Sequence, residues 1–256
     1  MVRTKKISTP THINKNHFSI IETVKIAWHG IRGTKRIFWI MTALLVVVVC
    51  SLILLEQRVH LHALAPALTL SIIVMARIIS GVTSILLGLG LVYLGIQRAS
   101  QQSIQLAMVN DMFNFTLLKN VIGLYILQFI ILFPLAILIY VATHFTTLFP
   151  SVVLNNMGHA CRSIIVIVSL IALIYLSMRL YLTKAIIVTE KTTPWNTLQR
   201  SFQITKSHVW KLLSLCIMNI VILIISTIPF GIGLLWSVPF CFINYGAVYK
   251  QLAHKS

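Results

Sequence analysis

Four carboxylates are the side chains with which this chain would carry out general acid–base chemistry: Glu22, Glu56, Asp111 and Glu190. No two of them are close in sequence, so the spacing indicates no acid–base pair. The sequence also has no GxSxG motif, no HExxH motif and no phosphate-binding glycine loop. We therefore expect a protein that is not an enzyme, with Glu190 serving as an ion-pair partner for Lys184 or Lys191.

The histidines are the residues that would hold a metal ion. His60 and His62 are separated by one residue, and His144 and His159 lie in segments that we also predict to be outer loops. Imidazole is a common metal ligand, but an HxH pair is a weak signal and Glu56 is the one carboxylate nearby. We expect solvated histidines in loops, with no metal site and no cofactor.

Arg77 is a cation inside an apolar run, where a charged side chain is costly. Ser80, Gly81, Ser84 and Gly88 follow it at helical spacing, so they would form one small and polar stripe with it. One interpretation is an intramembrane site at Arg77, Ser80 and Ser84 for an anionic lipid or solute. The other is that Arg77 lies near the outer interface and extends its charged end to water.

The composition indicates whether water or lipid surrounds the secondary-structure elements that must position these residues. Of 256 residues, 58% are hydrophobic and 10% are charged, with a mean hydropathy of +0.92. A soluble domain carries roughly 25% charged residues, so this chain cannot cover a surface that faces water. We predict an integral membrane protein of the all-α class.

Six apolar segments are candidates for membrane-spanning helices of about 20 residues. Five have the length of one crossing, and the segment 63–97 is longer, on the order of 50 Å as a helix. This long segment is either one tilted, kinked helix or an outer segment followed by one span. The other five segments are 37–55, 119–142, 163–188, 209–228 and 231–249.

The positive charges determine the predicted orientation. With six spans, 18 of the 21 basic residues lie on one side, all except Arg58, Arg77 and Arg162. Positive residues are retained on the cytoplasmic side, so we predict that both termini are cytoplasmic in a bacterial inner membrane. The net charge of +17 is then a match for anionic lipid head groups, not for nucleic acid.

Three amphipathic segments each precede a span and suggest a threefold repeat. Apolar residues recur at helical spacing in 21–31, 104–115 and 195–202. Each repeat would consist of an amphipathic helix and a helical hairpin. The predicted organisation is a cytoplasmic basic segment (1–36), a six-helix transmembrane domain (37–250) and a short cytoplasmic tail (251–256).

The first and third amphipathic segments combine tryptophan with basic residues, which is typical of helices that lie at a membrane surface. Thr193 is a plausible N-cap and Pro194 fits the first helical position. In the third segment, Trp195, Leu198 and Phe202 would form the apolar stripe. The residues predicted to contact lipid head groups or the interface are Lys25, Trp28, Arg32, Lys35, Arg36, Trp195, Arg200, Phe202, Lys206, Trp210 and Lys211.

The last 80 or so residues contain a set of matching elements that resembles a known group of bacterial membrane proteins. These elements are Arg179-Leu180, Val188-x-Glu190, Ser201-Phe202, Thr205-Lys206, Trp210, Pro239-Phe240 and Tyr245. The group comprises the YciC-like proteins and the membrane domain fused to some glycerophosphodiester phosphodiesterases. Ser207 departs from the pattern, because such proteins often carry glycine there. The resemblance implies a membrane protein and supplies no catalytic residue.

We therefore expect a non-enzymatic inner-membrane protein whose cytoplasmic amphipathic helices contact anionic lipids. Two alternatives stay open. In the first, the protein is a transporter or carrier of a small anionic or amphiphilic solute, with Arg77 on the path. In the second, it is a membrane anchor for a partner protein.

Overall fold

The structure is a computed structural model that describes residues 18–61, 66–102, 104, 114–148, 152–228 and 232–253. All the regular secondary structure in these ranges is α-helix, which confirms the all-α class. The helices are α1 (Ile20–Gly30), α2 (Lys35–Leu61), α3 (Pro66–Ala99), α4 (Phe115–Leu148), α5 (Val152–Arg179), α6 (Thr183–Glu190), α7 (Pro194–Thr205), α8 (Val209–Thr227) and α9 (Leu234–Ala253).

Five helical segments in the described ranges are long and apolar enough to cross a membrane, so the protein is a multi-pass membrane protein. They are Arg36–Arg58, Leu70–Ala99, Phe115–His144, Ser163–Glu190 and Val209–Thr227. The sixth predicted span, 231–249, coincides with α9. That helix carries Asn244, Tyr245 and Lys250, and ten of its 20 residues are buried, so much of its surface contacts protein. Its crossing of the bilayer stays a prediction.

The long apolar segment 63–97 forms a single helix in its described part. Helix α3 runs without a break from Pro66 to Ala99. Of the two alternatives left open by the sequence, one continuous helix is therefore the one observed.

The segment 163–188, predicted as one span, falls within the single span Ser163–Glu190, but the helix is interrupted inside it. Helix α5 ends at Arg179, residues 180–182 form turns, and the short helix α6 begins at Thr183. Nothing in the residue types Leu180, Tyr181 and Leu182 disfavours a helix, so the break has a cause elsewhere in the chain.

Two of the three predicted repeat units are visible in the described ranges. The amphipathic helix α1 precedes the α2–α3 hairpin, and α7 precedes the α8–α9 hairpin. The amphipathic segment of the second unit, 104–115, lies mostly outside the described residues.

Hydrogen bonds bring three short helices and six ends of longer helices together at one end of the bundle. We call this end the basic end. Arg98 of α3 donates to the carbonyl of Arg32 (2.7 Å), just before α2. Lys211 of α8 donates to the carbonyl of Phe18 (3.0 Å), just before α1. Asn120 of α4 donates to the carbonyl of Thr192 (3.4 Å), between α6 and α7. The basic end therefore contains α1, α6 and α7, the starts of α2, α4 and α8, and the ends of α3, α5 and α9.

The buried core lies toward the basic end. Leu89 and Leu94 of α3, Leu124 of α4, Ile186 of α6 and Ile243 of α9 are among its largest fully buried side chains. Away from that end, α2, α4, α5 and α8 expose long runs of isoleucine, leucine and valine. These apolar surfaces are what a bilayer would solvate.

Helices α3 and α9 make their closest approach at two glycines. A Cβ added to Gly246 would lie 2.6 Å from the carbonyl carbon of Gly95, and a Cβ on Gly95 would overlap the carbonyl oxygen of Phe242. The two backbones touch because neither residue has a side chain. Gly81 and Gly88, in the stripe beside Arg77, have no such neighbour within 4 Å of an added Cβ.

Candidate functional site

The basic end exposes three tryptophans among lysines and arginines. Trp28, Trp195 and Trp210 have exposed fractions of 64%, 56% and 80%. The predicted interface residues with exposed side chains at this end are Lys25, Trp28, Arg32, Arg36, Trp195, Lys206 and Trp210. The side chain of Lys35 lies outside the described residues.

Helix α1 is held against the bundle by polar contacts at its start. The Ser19 side chain caps the helix by accepting from the backbone N–H of Glu22 at 3.5 Å. Thr23 is buried and donates both to the Ser19 carbonyl (2.8 Å) and to Gln251 of α9 (3.3 Å). Thr23 and Ala27 therefore face protein, while Lys25 and Trp28 face outward.

Helix α7 forms where the sequence predicts it, with Pro194 in its first turn, and the face that it packs against protein differs from the stripe predicted to face the membrane. The expected apolar stripe was Trp195, Leu198 and Phe202, and of these Leu198 alone is buried. The buried face of the helix consists of Thr197, Leu198, Ser201, Ile204 and Thr205. Hydroxyl groups can be buried here because each one donates to a backbone carbonyl or to another hydroxyl.

Three predicted interface residues of this end contact protein. Arg200 is half-buried, and its Nε lies 3.9 Å from the Glu190 carboxylate. Lys211 donates to the Phe18 carbonyl and lies 5.8 Å from the Phe18 ring centroid. Phe202 is half-buried and lies beneath the guanidinium of Arg179.

The break between α5 and α6 is closed by a tyrosine hydroxyl from α9. In an unbroken helix, the N–H of Ala185 would donate to the carbonyl of Tyr181. Here the hydroxyl of Tyr245 stands between them: it donates to the Tyr181 carbonyl at 2.7 Å and accepts from the Ala185 N–H at 3.3 Å. A side chain inserted into the ladder is a recognised cause of a helix kink.

Other side chains satisfy the rest of the break. Ser201 donates to the Arg179 carbonyl (2.7 Å), and Thr183 donates to the Leu180 carbonyl (2.7 Å). Gln128 of α4 donates to the Thr183 hydroxyl at 2.7 Å. Polar backbone away from water requires such partners, and here four helices supply them.

Glu190 belongs to a neighbouring hydrogen-bond chain, and its predicted pairing with Lys184 or Lys191 is not what the structure shows. The Tyr249 hydroxyl lies 3.2 Å from the Glu190 carboxylate and 2.7 Å from the Thr189 hydroxyl. Arg200 supplies the nearby cation.

Arg77 has a protein counter-ion. Its Nε and one terminal nitrogen donate to the two carboxylate oxygens of Glu56 at 2.6 and 3.0 Å, at the end opposite to the basic end. The Arg77 side chain is 64% exposed. Ser80 and Ser84 are half-buried on the same helix, and no hydrogen bond among the described residues joins them to Arg77.

The remaining titratable candidates do not assemble. Within the described residues, no group of three histidine, cysteine or acidic side chains could hold a metal ion. His144 lies against the Tyr140 ring, with centroids 4.6 Å apart. The side chains of His60, His62 and His159, and all of Asp111, lie outside the described residues.

Comparison with known proteins gives no match to a protein-family model, to a curated protein or to a solved structure. The resemblance of the last 80 or so residues to the YciC-like group stays a prediction.

Sequence reasoning missed the residues at the break and the environment of Arg179. Sequence analysis assigned no role to Tyr181, and it named Tyr245 as an element of the family resemblance alone. Arg179 was counted among the cytoplasmic cations with no role of its own. The available signal was Tyr175, which precedes Arg179 by one helical turn and so places an aromatic ring beside a cation at the end of a span.

Proposed function

We propose that this protein is a non-enzymatic protein of the bacterial inner membrane that binds anionic lipid head groups through the basic end of its helical bundle. In this proposal both termini and the basic end face the cytoplasm. Each basic residue near an anionic membrane surface contributes about 1 kcal/mol to the attraction, so a set of exposed cations at one end gives a strong preference.

The observation that carries the proposal is the grouping of exposed tryptophans with exposed cations at the basic end. Tryptophan prefers the interface between acyl chains and head groups. Trp28 lies on α1 between Lys25 and Arg32, and Trp195 lies on α7, which ends at Lys206. Rings at that depth bring the neighbouring cations to the level of the phosphates.

Spin-labelled lipids in reconstituted membranes test the proposal. The fraction of label immobilised by the protein should be larger for phosphatidylglycerol than for phosphatidylcholine. Raising the ionic strength from about 0.01 M to about 1 M should shrink the difference, because the screening length falls from about 30 Å to about 3 Å. Equal fractions for the two lipids at low salt would contradict the proposal.

A matched pair of variants locates the effect. Replacing Lys25, Arg32 and Lys206 by glutamine removes three exposed charges from the basic end and should reduce the preference. The control is the double variant Glu56→Gln with Arg77→Gln, which removes a pair of charges at the opposite end and should leave the preference unchanged.

The transport alternative gains no support from the helix break. Transporters use unwound backbone to coordinate ions or substrates, but the carbonyls of Arg179, Leu180 and Tyr181 already accept hydrogen bonds from protein side chains. Arg77 is likewise occupied by Glu56. The anchor alternative would be tested by crosslinking from α1 and α7.

A further inference from the structure

Arg179 is a cation whose position is fixed by its surroundings. It is the last residue of α5, and its carbonyl accepts hydrogen bonds from Ser201 (2.7 Å) and Thr205 (3.4 Å) of α7. The guanidinium carbon lies 4.9 Å from the centroid of the Phe202 ring and 5.9 Å from that of the Tyr175 ring. Two aromatic rings thus hold the guanidinium in one place.

The guanidinium lacks the partners that such a position requires. Its Nε and one terminal nitrogen are buried and have no hydrogen-bond partner within the described residues. Arginine stays protonated in proteins, and a buried donor or charge without a partner is costly. Among the described residues, an acceptor that carries negative charge is therefore missing from this position.

The carboxylates that the structure describes are engaged elsewhere or lie on another element. Glu56 pairs with Arg77, and Glu190 lies beside Arg200 and Tyr249. Glu22 is in the first turn of α1, whose hydrogen bonds to other helices run to α3 and α9. The acceptor for Arg179 must come from outside this set.

The surroundings favour a phosphate group attached to acyl chains. A guanidinium presents a planar fork of donors that fits phosphate. Lys206 follows Phe202 by one helical turn and is exposed, so a second cation lies on the same side of α7. Next to the site, α5 exposes Ile171, Ile174 and Tyr175 along its length, which is an apolar surface on which lipid chains can lie.

We propose that Arg179, stacked on Phe202, binds the phosphate of one anionic phospholipid, with Lys206 as a second cation and the exposed face of α5 in contact with the acyl chains. The proposal rests on the function proposed above and adds to it a single defined site. It also supplies an acceptor for a guanidinium that has none among the described residues.

Native mass spectrometry of the intact protein, released from micelles after incubation with phosphatidylglycerol, tests the site. The wild-type protein should retain one phosphatidylglycerol molecule under collision energies that remove the others. Arg179→Gln should weaken this retention by about tenfold or more, since hydrogen bonds to charged groups contribute about 1.5–3 kcal/mol. Arg179→Lys should give a smaller loss, because lysine keeps the charge without the fork of donors.

Further variants keep the test decisive if Arg179→Gln folds poorly. Phe202→Leu and Lys206→Gln leave Arg179 in place and should each weaken retention. The double variant Glu56→Gln with Arg77→Gln, at the opposite end, is the control and should not. Asp111→Asn should also have no effect; increased retention in that variant would identify Asp111 as the counter-ion of Arg179 and overturn the proposal.

The outcomes separate this site from the general preference for anionic lipid. If Arg179→Gln retains lipid as the wild type does, while the spin-label preference for phosphatidylglycerol persists, the site is wrong and the proposed function stands. If millimolar inorganic phosphate displaces the retained lipid, the site binds a soluble anion and the lipid assignment is overturned. If no lipid is retained and no spin-label preference is found, both proposals fail.

Discussion

At the scale of single residues, Gly95 and Gly246 determine how closely α3 and α9 pack. We expect Gly246→Ala to destabilise the protein, because its Cβ would lie 2.6 Å from the Gly95 backbone and the helices would have to separate. Overpacking of this kind costs about 1–3 kcal/mol. The measurement is the temperature at which the detergent-solubilised protein loses its monodisperse elution peak.

Gly88→Ala is the matched control for that substitution. Gly88 is also in α3, but a Cβ there would meet nothing within 4 Å, and alanine favours a helix over glycine by about 1 kcal/mol. The control should be neutral or slightly stabilising. A Gly246→Ala protein as stable as this control would contradict the observed helix contact.

Tyr245 is the second residue with a specific prediction. Tyr245→Phe removes the hydroxyl that joins the Tyr181 carbonyl to the Ala185 N–H, and unsatisfied buried groups cost about 1–3 kcal/mol. We expect lower thermal stability and faster amide exchange at Ala185. Tyr140→Phe is the control, because Tyr140 is exposed on α4; equal exchange at Ala185 in both variants would mean that the hydroxyl does not hold the break.

At the scale of elements, hydrophobic periodicity predicted where α1 and α7 form but not which face of α7 is buried. Thr197, Ser201 and Thr205 look polar in the sequence, yet their hydroxyls donate within the helix or to α5 and so can face the core. Trp195 and Phe202 were predicted to contact the membrane interface, and the sequence did not indicate which face of α7 packs against protein. Side-chain hydrogen bonding to backbone, which a hydropathy pattern does not contain, decided the orientation.

The break between α5 and α6 lay beyond sequence reasoning for a related reason. Residues 180–182 are all compatible with a helix, and the group that interrupts the hydrogen-bond ladder is Tyr245, about 60 positions later in the chain. A local pattern cannot report a contact over that separation. The same holds for Arg77, whose partner Glu56 lies on the preceding helix.

The exposed tryptophans give a prediction for the amphipathic helices as elements. In variants that retain a single tryptophan, Trp28 and Trp195 should be quenched most strongly by lipids brominated near the head group, because interfacial helices lie at that depth. Trp39 is the comparison, since its indole N–H donates to the Leu235 carbonyl at 3.2 Å. Strongest quenching of Trp195 by lipids brominated at the chain ends would contradict an interfacial α7.

At the scale of the whole molecule, composition and charge predicted the class of protein and most of its spans. Five predicted spans fall on the five helical segments that are long and apolar enough to cross a bilayer. The sixth predicted span, α9, is not among these segments. It carries polar residues such as Asn244, which donates to Asn219 of α8 at 2.9 Å. A helix surrounded by protein is selected for contacts with other helices, so hydropathy describes it poorly.

The arrangement of charge is also a property of the whole molecule. Most of the described cations lie at the end where the core is most buried, while Arg58 and the pair Glu56 and Arg77 lie at the other end. The helix termini at the basic end come from segments far apart in sequence, and the positive-inside pattern had already placed them on the same side. The site at Arg179 required side-chain positions and could not have been found from charge alone.

Sidedness is the claim on which the lipid proposals depend, and reporter fusions measure it directly. Fusions after residues 110, 200 and 256 should report a cytoplasmic position, and fusions after residues 62, 150 and 230 should report the opposite side. If the reporters at 110 and 200 lie on opposite sides of the membrane, the basic end does not face one leaflet and the account is contradicted.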